Sequence, residues 1–270
     1  MTVRVRPGTQ RDAVLAALFA QGVQAVQEVD GAFATSIPAE SSAGALTSAV
    51  MAASPDASVD ISPTPVEDWS EKWKGSIRAH DLGALVVCPP WLADGQDAGR
   101  SVVIDPAMAF GTGEHQTTRG VIRLLQGVIR RGDRVADLGA GSAVLAIAAA
   151  KLGATSVVAI EIDHDAIENA EENVERNGVG DRVNVIEGDA GVLLPLVAPV
   201  RVITANIISS VLLHMLPAIS AALTKDGQAI LSGILVAERE EMVAALTGSG
   251  WRIECEDSED AWWSVQIARG

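Results

Sequence analysis

The sequence predicts an α/β protein. Its larger part reads as a doubly wound, mostly parallel sheet, preceded by a small α+β module of ferredoxin-like character. Three observations carry this. From residue 101 onward, short apolar runs alternate with stretches of helical composition, the pattern of parallel strands joined by crossover helices. Residues 133–163 read DRVADLGAGSAVLAIAAAKLGATSVVAIEID, a strand, a glycine turn, a helix and a second strand with acids at its far end. Before residue 63 the patterns run β-α-β-β-α-β.

Val3 to Arg6 is strand-like, Arg11 to Ala20 helical, and Val23 to Val29 and Ala32 to Ile37 strand-like. Ala39 to Ala53 is a second helical piece, and Val59 to Ile61 closes the module. Residues 1–62 hold few side chains of catalytic type, so this domain is expected to recognise a substrate or to serve structure. Ser62-Pro63-Thr64-Pro65 then favours extended backbone, since each proline restricts the residue before it. It opens a linker and edge segment, 63–100, in which Trp69, Trp73 and Trp91 are expected to pack one edge of the larger domain, 101–270.

In the larger domain Ser101 to Ile104 is a strand, followed by DPAMAFGTGEHQTTRGVIRLL. Gly111 and Gly113 make a turn, and Thr117 or Thr118 can begin a helix with Val121, Ile122, Leu124 and Leu125 on its apolar face. A hydroxyl there either caps the backbone amides or faces a ligand. Val135 and Ala136 form the next strand, Asp137 ends it, and Gly139-Ala140-Gly141 turns into a helix from Ala143 to Leu152. Gly153 stops that helix, Val157 to Ile160 is a buried strand, and Glu161 and Asp163 sit where it emerges. Ala166 to Asn177 is helical, Val183 to Ile186 a strand leading to Gly188-Asp189, and Val200 to Ala205 a strand ending at Asn206. Leu212 to Leu223 and Glu238 to Leu246 are helical, with the strand Gln228 to Leu231 between them. Trp251 to Cys255 and Trp263 to Ile267 read as a hairpin at the sheet edge.

Composition narrows the function. With 270 residues, 48% of them hydrophobic, the chain can bury a core without covalent staples. Cys88 and Cys255 lie far apart without metal-type neighbours, which suits a reducing cytoplasm. Glu114 and His115 are of ligand type, yet no second such group recurs at zinc spacing, so no metal is expected. The N-terminus lacks the apolar segment of a signal peptide, and no apolar run reaches the roughly 20 residues of a spanning helix. A cytoplasmic chain without membrane contact is expected. The net charge of −15 disfavours direct nucleic-acid binding and is compatible with a basic protein partner.

The crevice above such a sheet holds either a dinucleotide or an adenosyl cofactor. A dinucleotide loop needs a third glycine for close packing under the pyrophosphate, but here Val144 stands in that place. S-adenosyl-L-methionine has no phosphate; it needs a tight glycine loop, supplied by Gly139 and Gly141, and an acid at the next strand end for the ribose hydroxyls. Glu161 is placed for that task. Asp189 either faces the adenine edge or merely forms a turn.

DPAMAFGTGEHQTT, DLGAGSAVLAIAAAKLGA, AIEIDHDAIENAEENVERNGV, ANI and ILSGIL, met in this order from about Glu67 to the end, resemble motifs of the bacterial ribosomal protein L11 methyltransferases, the PrmA type. The GTGEHQTT block is the specific signal. The resemblance implies a class I methyltransferase (Rossmann-like) fold with a seven-stranded sheet, S-adenosyl-L-methionine as cofactor, and a basic large-subunit ribosomal protein as substrate, docked by the N-terminal domain. By motif it brings Thr118, Gly139, Glu161 and Asn206 to the cofactor, with Phe110 flanking the pocket. Three departures stand out: Ala143 where a glycine is usual, Glu161 for aspartate, and Ile207-Ile208-Ser209 for an Ile-Leu-Ala run.

The expected reaction is methyl transfer to lysine ε-amines, the N-terminal α-amine, or both. No histidine is obviously placed as a base, and a chain without tyrosine cannot complete an Asp/Asn-Pro-Pro-Tyr signature. Asn206 is therefore the candidate catalytic residue, orienting the amine. Transfer to another protein lysine or to a small amine is an alternative, as is a non-catalytic cofactor-binding interaction protein. A monomer is expected.

Overall fold

The computed structural model describes residues 1–23, 26–29, 31–37, 43–62, 77–105 and 113–270. The backbone groups into two compact units, Met1–Lys72 and Trp73–Gly270.

The first unit contains β1 (Thr2–Arg6), α1 (Arg11–Ala20), β2 (Gln27–Val29), β3 (Ala32–Ser36), α2 (Ala43–Ala53) and β4 (Ser58–Ser62). Its strands form an antiparallel sheet in the order β2-β3-β1-β4, the ferredoxin-like arrangement. The two-residue period of β1 sends Val3 and Val5 to one face. There they share a core with Val14 and Leu18 of α1 and Leu46 and Val50 of α2, each pair four apart on its helix.

In the second unit β5 (His80–Asp81), β6 (Val86–Cys88) and β7 (Ser101–Val103) make a small sheet in that order. This departs from reading 63–100 as linker and edge with the larger domain starting at 101. The apolar run of β6 is buried and pairs in parallel with β7, so these strands belong to the second unit. Trp69 and Trp73 lie outside the described residues, and Trp91 is 37% exposed; the tryptophans that fill the core are Trp251 and Trp263.

The main elements are α3 (Gln116–Val128), β8 (Arg134–Leu138), α4 (Val144–Leu152), β9 (Ser156–Glu161), α5 (His164–Arg176), β10 (Val183–Glu187), α6 (Ala190–Val197), β11 (Val200–Asn206), α7 (Ser209–Ala222), β12 (Leu223–Leu235), α8 (Arg239–Gly248), β13 (Trp251–Glu259) and β14 (Trp262–Arg269). They build a seven-stranded sheet, β10-β9-β8-β11-β12-β14-β13. The first five strands of that order are parallel, and β14 and β13 form the antiparallel hairpin at the edge. The helix α6 escapes a sequence reading because Gly191 and Pro195 break its composition.

Alternate residues of each strand serve two layers. Val135, Val202 and Ile230 pack with the apolar faces of α3, α4 and α5. Ala136, Leu138, Ile203 and Leu231 pack with α6, α7 and α8. Helix α4 is buried from Val144 to Ala150, and its run of alanines lets it lie close on the sheet. Near the amino ends of the strands, Arg201 of β11 forms a buried ion pair with Asp133 and donates to the Val128 carbonyl. Strand order reverses between β8 and β11, and in open sheets of this kind ligands bind at the carboxyl ends of the strands beside such a reversal.

Candidate active site

The loop after β8 is held by backbone bonds to the strand beside it. The N–H groups of Gly139 and Ala140 both donate to the Ile160 carbonyl, at 2.9 and 3.1 Å. Gly139 has φ +70° and Gly141 φ +51°, a region that glycine enters freely. Ala143, in the place of the usual glycine, adopts φ +62° and is fully buried.

Glu161, only 8% exposed, pulls the loop and the strand end together. One carboxylate oxygen accepts from the Gly141 N–H at 2.7 Å; the other accepts from the N–H groups of Ile162 and Asp163 at 2.8 and 2.9 Å. A carboxylate offers about four acceptor directions, so one remains after these three bonds. The methylene that glutamate has over aspartate lets the group fold back onto its own backbone.

Asp137 and Thr204 are register partners on adjacent parallel strands and face the α4 layer together. The Thr204 hydroxyl donates to one oxygen of Asp137 at 2.6 Å, and the Ala146 N–H donates to the other at 3.1 Å. Burial dominates all the same: it pushes the Asp137 carboxyl up to about 7, against the pull of these two donors and with help from the Glu161 charge.

The start of α3 corrects the expectation for its threonines. His115 is the N-cap, and its Nδ1 accepts from the Thr117 N–H at 3.4 Å and pairs with the Thr117 hydroxyl at 2.7 Å. An accepting Nδ1 requires a neutral ring, and burial, seconded by the Arg119 charge, lowers the His115 pKa. Thr118 is thus free of any capping duty. It is fully buried, and its hydroxyl has no hydrogen-bond partner among the described residues. A helical threonine can bond back to the carbonyl four residues earlier, but that carbonyl, of Glu114, accepts from the Arg119 guanidinium. Glu114 itself accepts from the Arg78 N–H and pairs with His80, so both groups that looked like metal ligands serve local structure.

Several anchors fix α3 over the sheet. Arg119 pairs with Glu259, and Arg123 with Asp257 and Glu259, tying the helix to the edge hairpin. The Arg119 hydrogen bonds are the main reason that the Glu259 carboxyl is held below its usual range. The buried Ser232 hydroxyl lies 3.3 Å from the Thr117 carbonyl, to which it donates, and 2.7 Å from the Ser264 hydroxyl. Ser232 is also the register partner of Asn206. The sheet therefore brings Asn206 beside the residue that holds the Thr118 turn.

Asn206 ends β11 half-buried, beside the Gly139 loop that ends β8. Asp189 is exposed at the end of β10 and caps α6, accepting from the Gly191 N–H at 2.7 Å. This realises the turn-forming role open to it; its neighbour Gly188 donates to the Glu161 carbonyl at 2.8 Å. Phe110 lies outside the described residues. The tie through Ser232 has no sequence signal, because it depends on residues 115 positions apart.

The family model described as ribosomal protein L11 methyltransferase (PrmA) matches residues 9–270. A ribosomal protein L11 methyltransferase of Exiguobacterium sp. is 37% identical over 214 residues, covering 78% of this chain and 68% of that protein. One of Synechococcus sp. is 39% identical over 210 residues, covering 76% and 70%. The crystal structure of a ribosomal protein L11 methylase from Lactobacillus delbrueckii subsp. bulgaricus superposes with a TM-score of 0.63 at 32% identity, covering 71% of this chain and 98% of that one.

Proposed function

The chain belongs to the ribosomal protein L11 methyltransferase family, and from that premise we propose that it transfers methyl groups from S-adenosyl-L-methionine to amines of a large-subunit ribosomal protein. The acceptors are lysine ε-amines, the N-terminal α-amine, or both. The observation that carries the cofactor assignment is the fully buried Thr118 hydroxyl, which has no partner among the described residues. A buried donor left unmade is costly, and such a group is retained where a ligand completes it. The glycine turn at Gly139 and Gly141 and the spare acceptor direction on Glu161 suit the amino-acid and ribose portions of the same ligand. Asp189, with one oxygen engaged in the cap, is assigned to the adenine side, and Phe110 to the pocket wall.

When bound, the cofactor supplies an electrophilic methyl on a sulfonium. The chain holds the acceptor in line and keeps water out, and positioning of this kind accounts for most of the acceleration available to a displacement. The amine must attack in its neutral form. At pH 7 deprotonation requires about 4 to 5 kcal/mol for a lysine and about 1 kcal/mol for an α-amine. All four histidines are engaged elsewhere: His80 with Glu114, His115 as a cap, His164 with Glu187, and His214 with the Ser210 carbonyl. Asn206 takes the orienting role, its side-chain carbonyl or a neighbouring backbone carbonyl accepting from the amine. The acidic chain, at −15, attracts a basic ribosomal protein, which the N-terminal unit docks. We assign the activity to a monomer in the cytoplasm that does not bind nucleic acid directly; among the described residues no helix is long and apolar enough to cross a membrane.

The test is incubation with isotopically labelled S-adenosyl-L-methionine and unmodified ribosomal proteins, the label being located by mass spectrometry. Label on the L11 protein is expected, and Asn206→Ala should lose at least about 100-fold in turnover while keeping the fold. Label confined to other proteins, or near-normal turnover by that variant, refutes the respective assignment.

A further inference from the structure

Ile207 follows Asn206 directly, and two glycines from the two strands flanking β11 make room for it. A Cβ built on Gly139, at the end of β8, would come within 2.7 Å of the Ile207 Cγ2 methyl. A Cβ on Gly233, in β12, would come within 2.5, 2.8 and 3.0 Å of the Ile207 carbonyl oxygen, carbonyl carbon and nitrogen. Both glycines have positive φ, +70° and +83°. The Ile207 N–H also donates to the Ser232 carbonyl at 3.2 Å. One residue is thus gripped on its backbone by the irregular Ser232-Gly233 stretch of β12, while a single methyl of its side chain bears on the glycine turn.

We infer that Ile207 is a positioning residue, a wedge whose Cγ2 methyl sets the separation between the Gly139 loop and Asn206. The inference rests on the proposed function, in which the first holds the methyl donor and the second orients the acceptor. An in-line displacement is sensitive to that separation, and a misplacement of about 1 Å is worth on the order of 100-fold in rate. The touching atom is the β-branch methyl, so shape at Cβ matters rather than bulk. Valine keeps this methyl and leucine does not, although leucine is an isomer of isoleucine. A residue that merely filled space would tolerate the leucine exchange best, because volume is conserved.

The test compares Ile207→Val, Ile207→Leu and Ile207→Ala in the full chain, with methyl transfer to the ribosomal protein as one readout and cofactor affinity by titration calorimetry as the other. Ile207→Val should keep kcat within about threefold of the parent, whereas Ile207→Leu and Ile207→Ala lose about 10- to 100-fold in kcat. All three should keep the Kd for the cofactor within about threefold, a split between binding and turnover that simple destabilisation does not produce. Turnover by Ile207→Leu equal to that of Ile207→Val would overturn the wedge. So would a loss of cofactor affinity as large as the loss of kcat. A parent chain that transfers no methyl to any ribosomal protein would instead refute the proposed function, and the wedge's catalytic role with it. Should Ile207→Ala fail to fold, the Val and Leu pair decides alone.

Discussion

Thr118→Val should make the cofactor-free protein more stable and a poorer enzyme. The Thr118 hydroxyl is buried and unpartnered among the described residues, and the carbonyl four residues earlier, of Glu114, accepts from Arg119 instead. Burying a hydroxyl without a hydrogen bond costs about 1 to 3 kcal/mol by mutational measures. Valine has nearly the same shape and similar helix propensity, so replacing the hydroxyl with a methyl should recover about 1 kcal/mol of this. For a unit of about 200 residues that raises Tm by about 2 to 4 °C. In the bound state the sign reverses, because valine forfeits a hydrogen bond to the cofactor worth about 1.4 kcal/mol, a tenfold weaker Kd. Thermal unfolding without ligand and calorimetric titration with S-adenosylhomocysteine measure the two effects on the same preparation. A lower Tm would mean that the hydroxyl supports the fold, and an unchanged Kd would mean that it does not face the cofactor; either result refutes the reasoning.

Two further outcomes concern buried charge. Asp137 titrates at about 7 in the folded chain against 3.8 in the reference state, with burial as the main cause. The unfolded chain therefore gives up this proton first, and the carboxyl lowers stability progressively as pH rises from about 4 to about 7, by on the order of 4 kcal/mol in all. Asp137→Asn should remove that loss, so in denaturant melts the variant gains on the parent as pH rises through this window; a stability difference independent of pH would contradict the assignment. Arg201→Met should destabilise by about 3 to 5 kcal/mol, since it leaves the buried Asp133 carboxylate without its partner. Arg201 stands five residues before Asn206 on β11, about 16 Å along the strand. The folded fraction should therefore keep its kcat, and a loss of kcat without a loss of stability would show that the pair serves the site instead.

Much of this site is legible in the amino-acid sequence. Gly139, Gly141 and Glu161 announce themselves because they belong to one local unit, in which a strand must end, turn without side-chain bulk, and meet an acid on the next strand. Thr118 is ambiguous from sequence, since a hydroxyl at a helix start so often caps it. Only the geometry shows the cap passing to His115. Asp189 carries the opposite lesson: of the two roles open to it in the sequence, the structure shows the turn-forming one, as the cap of α6. The strand pairing of Val86 to Cys88 with Ser101 to Val103 is invisible to a reading that takes the prolines after Ser62 as the start of a long linker.

The sequence by itself determined the α/β class, the order of the elements apart from β5, β6 and α6, and the acidic and glycine-bearing ends of the strands. Each of these follows from short-range periodicity and from conformational limits that act within a few residues. It also determined, through its motifs, the family. Tertiary structure alone decided which residues meet across distance: Ser232 with Thr117, Asp137 with Thr204, and Ile207 with two glycines from flanking strands. Such contacts are set by sheet order and register, which local patterns do not encode. In the stretch from Gly139 to Glu161 the glycine turn is written locally, whereas under the proposed wedge its distance to Asn206 depends on one methyl group contributed just beyond the end of β11.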